Sequence, residues 1–378
     1  MQIGFDGTVL IAPRTGIGYY THFLLKHLQA DPRLSLFCYN GLFMRPFAAG
    51  GEDERSPNLL HSAATGLKQI PGGRQTYRLL KKANFARAAR NLDLFHATNY
   101  MPPSKTAVPV LPLIHDVSHI RHPEWHPAER IRWLDSGTPQ LLSAPIINTV
   151  SAFSAREITA TFGVSPARIR VTLPGVNPLY REPPQKVEAT LRRLDVRSGC
   201  YFLCVGTLEP RKNLTTALQA YIALPPATRS HFPLLIVGPE GWGDLALPTE
   251  SDRLVRDGQV RFTGYLGEDA MHVLYHEATA LLFPSSYEGF GMPVSEAMAT
   301  GTRPIVASGG APEEITQGLG LALPAFDPMA WRDGLLQAID EKWQADKILR
   351  TSLRSSSHLF DWKTNASETL SIYEELLN

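Results

Sequence analysis

A chain of 378 residues exceeds the roughly 100–200 of an ordinary domain, which predicts two domains with separate cores and excludes a single small module. Apolar residues make up 43% and charged residues 19%, and no apolar run approaches the roughly 20 residues of a membrane-crossing helix. The net charge of +1 conceals a split: residues 1–182 carry 20 Lys+Arg against 12 Asp+Glu, and residues 183–378 carry 17 against 24, so the first half is the one expected to meet an anionic surface or ligand.

The chain enters a strand at once, over Gln2–Asp6, with no basic stretch, apolar core and cleavage site before it, which predicts a cytoplasmic protein without a secretory signal. Further short apolar or β-branched runs follow at Leu34–Tyr39, Leu92–Ala97, Val108–Ile114 and Ile146–Val150, alternating with helical patterns. That alternation predicts an α/β domain with a mostly parallel sheet. Ile17–Leu28 has helical spacing, and Ser151 is placed to cap the helix that follows it. The polar segment Ala48–Thr65 reads as a loop. Three cysteines, Cys38, Cys200 and Cys204, cannot build a disulfide framework and are expected as buried thiols.

Turn-formers then cluster from Leu173 to Pro178 and at Pro183-Pro184, marking a domain boundary near 174–186. Strand-like runs resume at Tyr201–Gly206, Pro233–Gly238, Val260–Gly264, Ala280–Pro284 and Thr302–Ala307, with intervening helices long enough for crossovers. The predicted organisation is a first α/β domain over 1–180, a second over 181–360, and a C-terminal segment 361–378, helical over Ser367–Leu377, that packs back toward the first domain.

Two segments carry most of the chemistry. Tyr287 to Gly301 follows an apolar strand, with Pro293 where a first helical residue belongs and Gly301 near the helix end. The amides of Gly289, Phe290, Gly291 and Met292 would lie at a helix start, which favours anions or sugar oxygens. Glu288 stands before that loop and Glu296 within the helix, so two carboxylates are expected to converge on one pocket at the C-terminal edge of the sheet, where open α/β sheets bind ligands. The second segment, Gly206-Thr207-Leu208-Glu209-Pro210-Arg211-Lys212-Asn213, also ends a strand and precedes a helix. Arg211 offers a planar fork and Lys212 a compact charge, a pair suited to a diphosphate.

With these motifs the chain resembles the retaining glycosyltransferases of family 4. The resemblance covers essentially the whole sequence and implies the GT-B fold: two Rossmann-like domains facing each other across a cleft that takes a nucleotide-sugar. It implies that Glu296 binds the donor ribose, that Glu288 and the loop amides face the transferred sugar, and that Arg211 and Lys212 hold the diphosphate and offset leaving-group charge. It further implies that Gly16 and Gly18 lie under the diphosphate and that His115 contacts the donor sugar, with Asp116 orienting it or capping the next helix. Backbone groups around Tyr265 and Leu266 would meet the base. Many members have Gly-Arg where this chain has Gly206-Thr207, which removes one phosphate contact.

The frame Gly16-x-Gly18-x-x-Thr21 lacks the third glycine of a dinucleotide fingerprint, which weakens a dehydrogenase reading. His96 reads as a packing residue, and His119, His122 and His126 form no metal set. The basic run from Arg74 to Arg90, interleaved with Tyr77, Leu79, Leu80 and Phe85, suits an anionic membrane surface better than nucleic acid, for which no binding motif is present. Taken with the resemblance, these features predict a metal-independent hexosyltransferase without a cofactor. The expected donor is GDP-mannose or a GDP-6-deoxyhexose, with UDP- and ADP-sugars open as alternatives. The expected acceptor is a glycan or polyprenyl-diphosphate-linked glycan of bacterial polysaccharide assembly. The alternative from another class is a GT-B pseudoenzyme serving as a binding subunit.

Overall fold

The computed structural model describes residues 1–10, 16–41, 43–47 and 83–378; the loop expected over 48–65 and the basic residues up to Lys82 lie outside the described residues. The chain divides into two compact units. One comprises Met1–Val117, Arg132–Gly175 and Trp362–Asn378, and the other Ser118–Ile131 and Val176–Asp361. The main division therefore falls at Gly175/Val176, and the segment Ser118–Ile131 belongs with the second unit.

Among the described residues the first unit holds seven strands: β1 (Gln2–Asp6), β2 (Ser35–Tyr39), β3 (Met44–Pro46), β4 (Leu94–Ala97), β5 (Val110–Ile114), β6 (Ile147–Thr149) and β7 (Ile169–Val171). Their order is β3-β2-β1-β4-β5-β6-β7, and among these pairs only β2/β3 is antiparallel. Every residue of β4 and four of five in β1 and β5 are buried, as a parallel sheet covered on both faces requires. The helix Gly16–Leu28 buries Tyr20, Phe23, Leu24, Leu25 and Leu28, one apolar stripe at helical spacing. Against this stripe lies the C-terminal helix, which begins at Trp362, one turn before the expected Ser367. The Trp362 ring stacks on Phe23 (5.5 Å, 14°) and meets Tyr20 edge-on at 5.4 Å. A side chain at Gly175 would come within 2.4 Å of the Trp362 backbone nitrogen, so the approach depends on that glycine. His96 packs here, its Nδ1 2.7 Å from the Tyr373 hydroxyl, and burial pushes it down to about 3, so it is neutral.

In the second unit, β8 (Phe202–Val205), β9 (Leu234–Val237), β10 (Val260–Gly264), β11 (Ala280–Phe283), β12 (Pro304–Ala307) and β13 (Leu321–Leu323) form an all-parallel sheet in the order β10-β9-β8-β11-β12-β13. The core packs Leu218 and Tyr221 of the helix Leu214–Ile222 with Trp331 and Leu335 of Pro328–Asp340. This is the doubly wound Rossmann-type arrangement, with the strand order reversing between β8 and β11, and between β1 and β4 in the first unit. Such reversal points open a crevice at the carboxyl ends of the strands, where open α/β sheets take ligands.

The short strands β3, β7 and β13 were not among the expected ones. Cys204 is buried, which pushes its thiol up to about 12, whereas Cys38 and Cys200 are only partly buried, correcting the expectation of three buried thiols.

Candidate active site

Two loops meet at the β8/β11 reversal point. Gly206, Thr207 and Leu208 continue β8 to Glu209, whose carbonyl accepts from the Lys212 amide (3.0 Å) and so closes a single tight turn over Pro210–Lys212. Asn213 ends the turn in a left-handed conformation (φ 51°). Its Nδ2 donates to Pro284 O at 3.2 Å and Ala325 O at 2.6 Å, tying the turn to the ends of β11 and β13. Behind it Gly238 passes so close that an added Cβ would lie 1.9 Å from Gly206 O. The loop after β11 is laced to the turn at Arg211 O, which accepts from Ser286 N (2.9 Å) and Ser286 Oγ (3.1 Å).

This scaffold assembles a chain of four charges. Arg211 Nε lies 2.7 Å from Glu209 Oε1, and its Nη1 donates to Glu288 Oε2 and, at 3.2 Å, to Tyr287 O. Lys212 Nζ donates to the other Glu288 oxygen and sits 5.1 Å from the Phe283 ring centroid. Burial pushes the Glu288 carboxyl up, but the two cations together outweigh it and hold it below the usual range. Glu288 is thus ionised at neutral pH, and two cations face two carboxylates.

Glu296, on the helix Met292–Thr300, has a different partner: its Oε2 accepts from the buried Tyr275 hydroxyl at 2.7 Å. Burial dominates and raises its pKa to about 7, with the Tyr275 bond opposing and the Glu268 charge adding to the rise. The two carboxylates expected to converge are therefore held in opposite states, one ion-paired and one poised to titrate. Gly291 caps this helix at φ 101°, a conformation that disfavours any side chain, and Gly301 closes it in a left-handed conformation. The Phe290 ring is buried edge-on against Phe360 at 5.6 Å, so Phe290 can serve a ligand only through its backbone. Tyr265, half exposed, and Leu266, partly buried, follow β10 at the same sheet edge.

The first unit places its site residues at its own reversal point. Gly16 and Gly18 open the helix Gly16–Leu28; Gly16 is exposed and Gly18 buried. Thr21 on that helix donates to Thr98 Oγ1 (2.8 Å), just beyond β4, and Thr98 O lies 2.8 Å from His115 Nε2, just beyond β5. A carbonyl only accepts, so His115 carries a proton on Nε2. Tyr20 and Tyr100 flank the ring at 5.5 and 6.0 Å, and the Tyr100 hydroxyl donates to Asp116 Oδ1 at 3.3 Å. In the second unit His122 stacks on Trp125 (3.9 Å, 13°) and meets Tyr287 edge-on, while Ser118 Oγ and His126 Nε2 are 2.9 Å apart.

Sequence reasoning missed Glu209, Tyr275, Ser286 and Thr98 as site residues. Glu209 lay inside a motif already singled out and differed from its neighbours by being an acid beside two cations. Tyr275 stands in mid-helix with no local pattern to distinguish it.

A doubly wound fold with cations and carboxylates gathered at its reversal point is an architecture for a polar, charged ligand, and the comparisons identify the family. The model described as "Glycosyl transferases group 1" matches residues 197–355, and "Glycosyltransferase Family 4" matches 14–178. The chain is 31% identical to the O-antigen chain mannosyltransferase B of Escherichia coli over 100% of both chains. In structure it resembles Anabaena HepE in complex with UDP-glucose (TM-score 0.72, 18% identity, 100% of both chains). It also resembles the sucrose-phosphate synthase of Thermosynechococcus elongatus (TM-score 0.71, 19% identity, 100% of this chain and 99% of that one). The protein belongs to the family 4 glycosyltransferases and has the GT-B fold. No helix among the described residues is long and apolar enough to cross a membrane.

Proposed function

We propose that the protein is a retaining hexosyltransferase of bacterial polysaccharide assembly, moving mannose or a 6-deoxyhexose from a GDP-sugar to a glycan or polyprenyl-diphosphate-linked glycan. The observation that carries this reading is the partly buried Glu209–Arg211–Glu288–Lys212 chain at the reversal point of the second sheet. Full-length similarity to an O-antigen chain mannosyltransferase supports the choice of sugar and acceptor class. In this reading Glu296 grips the donor ribose, Gly16, Gly18 and the Gly289–Met292 amides approach the diphosphate and sugar, His115 contacts the sugar, and Tyr265 and Leu266 present backbone to the base.

The acceptor hydroxyl attacks the anomeric carbon on the face from which the diphosphate departs. The bond from that carbon to phosphate oxygen breaks as the new glycosidic bond forms, and the departing phosphate takes the hydroxyl proton. Negative charge grows on the phosphate in the transition state, where Arg211 and Lys212 stabilise it in place of a metal ion. Thermal stabilisation by GDP, UDP and ADP, each with and without magnesium, tests the donor class. NMR of the anomeric proton in the product tests retention. Magnesium-independent stabilisation by GDP supports the full reading; UDP or ADP alone replaces the donor; no response to any of them returns the chain to the pseudoenzyme alternative.

A further inference from the structure

The reading just given rests on Arg211, and the structure surrounds that residue with more restraint than charge pairing needs. Its carbonyl is held twice by Ser286, its Nη1 by Glu288 and Tyr287 O, and its Nε by Glu209. The Glu209 side chain is only 3% exposed, and a carboxylate so deeply buried persists where a cation pairs with it. Nε joins the guanidinium to its aliphatic stem, so a carboxylate ion-paired at that nitrogen restrains how the whole fork sits. Glu288 cannot do this alone, because it divides its oxygens between Arg211 and Lys212 and is the group that would turn toward a bound sugar. Once Glu288 engages a donor, Glu209 remains, among the described residues, as a carboxylate paired with Arg211.

We propose that Glu209 is the positioning residue for Arg211, fixing the guanidinium plane before and after Glu288 exchanges its partners, so that the fork meets the leaving diphosphate without reorganising. Two features make this local rather than general. Pro210 between the two residues locks the backbone, and the tight turn closed by Lys212 N on Glu209 O brings the acid back to the arginine two positions on.

The test compares Glu209→Ala and Glu209→Gln in the full chain, alone and in an Arg211→Ala background, with donor turnover by the unaltered protein measured first. Glu209→Ala is expected to lower kcat about ten- to hundredfold with donor KM changed by less than about threefold, the mark of a misaligned group acting in the transition state. Glu209→Gln keeps the shape but not the charge of the ion pair and is expected to recover only part of the loss. In the Arg211→Ala background Glu209→Ala is expected to cost nothing further. Wild-type kcat in Glu209→Ala, or equal losses in both backgrounds, overturns the proposal.

Should Glu209→Ala not fold, the Nε–H resonance of Arg211, assigned by its loss in Arg211→Ala, serves instead. It is expected to be sharp and protected in the unaltered chain and more labile in Glu209→Gln, which loses the charge of the ion pair; a signal as labile as those of exposed arginines in the unaltered chain, or one unchanged in Glu209→Gln, overturns the proposal. This readout needs no turnover, so a chain that transfers no sugar refutes the functional reading while the resonance still decides the role of Glu209.

Discussion

Glu296 offers the sharpest test of donor recognition, because its carboxyl is raised to about 7 while the proposed role requires it ionised to accept two ribose hydroxyl protons. Below that pH the site must release a proton before it binds, so the apparent Kd for donor scales as one plus the ratio of protonated to ionised carboxyl. With the midpoint at about 7, affinity is expected to be about tenfold weaker at pH 6 than at pH 8 and to level off above. Calorimetry at pH 7 in buffers of different ionisation enthalpy is expected to find about half a proton released per donor bound. The intact nucleotide-sugar is the ligand to use, since the terminal phosphate of a free nucleoside diphosphate titrates near pH ~6 and would mimic the effect. The donor-free protein supplies an independent sign. A folded-state pKa above the ordinary 4.5 stabilises the fold fully below 4.5, and that contribution is lost as pH rises through about 7. Donor affinity that is flat from pH 6 to 8, or a pH dependence that survives in Glu296→Gln, refutes the assignment.

Tyr275→Phe removes the hydrogen bond that holds the Glu296 pKa down, so the midpoint of the donor-affinity profile is expected to move to higher pH; an unmoved midpoint sinks that coupling. Lys212→Ala is expected to depress kcat more than donor affinity, read by steady-state kinetics beside donor calorimetry, because the role proposed for its charge is on the leaving phosphate; equal losses indicate ordinary ground-state binding. Asn213→Ala leaves the buried Pro284 carbonyl and the partly buried Ala325 carbonyl without the Asn213 donor and is expected to lower stability by about 2 kcal/mol in denaturant unfolding. Gly238→Ala forces a Cβ against Gly206 O and is expected to cost about 2–4 kcal/mol by the same measurement, with a wild-type midpoint counting against the close approach.

Much of the architecture was legible because buried parallel strands are written as short continuous apolar runs. β1, β4, β8, β9 and β11 are of that kind, and each lies within an expected segment. β7 and β13 were not, since three-residue edge strands such as Ile169–Val171 and Leu321–Leu323 are only partly buried and leave no such run. The start of the last helix was misplaced at Ser367 because Trp362, Asn365 and Ala366 are buried by long-range packing with the helix Gly16–Leu28, which no local pattern announces. In the site, Arg211, Lys212 and Glu288 were visible as types in loops after strands, and Glu296 as an acid in the helix that follows. Their states were not: that Glu288 is ion-paired depends on Arg211, 77 residues away, and that Glu296 is raised depends on its burial, which the hydrogen bond from Tyr275, 21 residues away, only partly offsets.

Those opposite states bear on how a donor enters. The four formal charges from Glu209 to Lys212 sum to zero, so under the proposed role of Arg211 and Lys212 an arriving diphosphate would find cations already paired and would gain from them only as Glu288 lets go. Glu288→Gln removes one anion, leaves Lys212 without a charged partner within the chain, and is expected to tighten binding of nucleoside diphosphate while lowering kcat, with some loss of thermal stability from the uncompensated cation. Titration of nucleoside diphosphate into the variant measures the first effect and steady-state turnover the second. Tighter product binding with slower turnover would mean that Glu288 keeps the cations from gripping the leaving group too early. Weaker binding would mean that Glu288 instead orients Arg211 and Lys212 for the phosphate, and the exchange of partners would have to be abandoned.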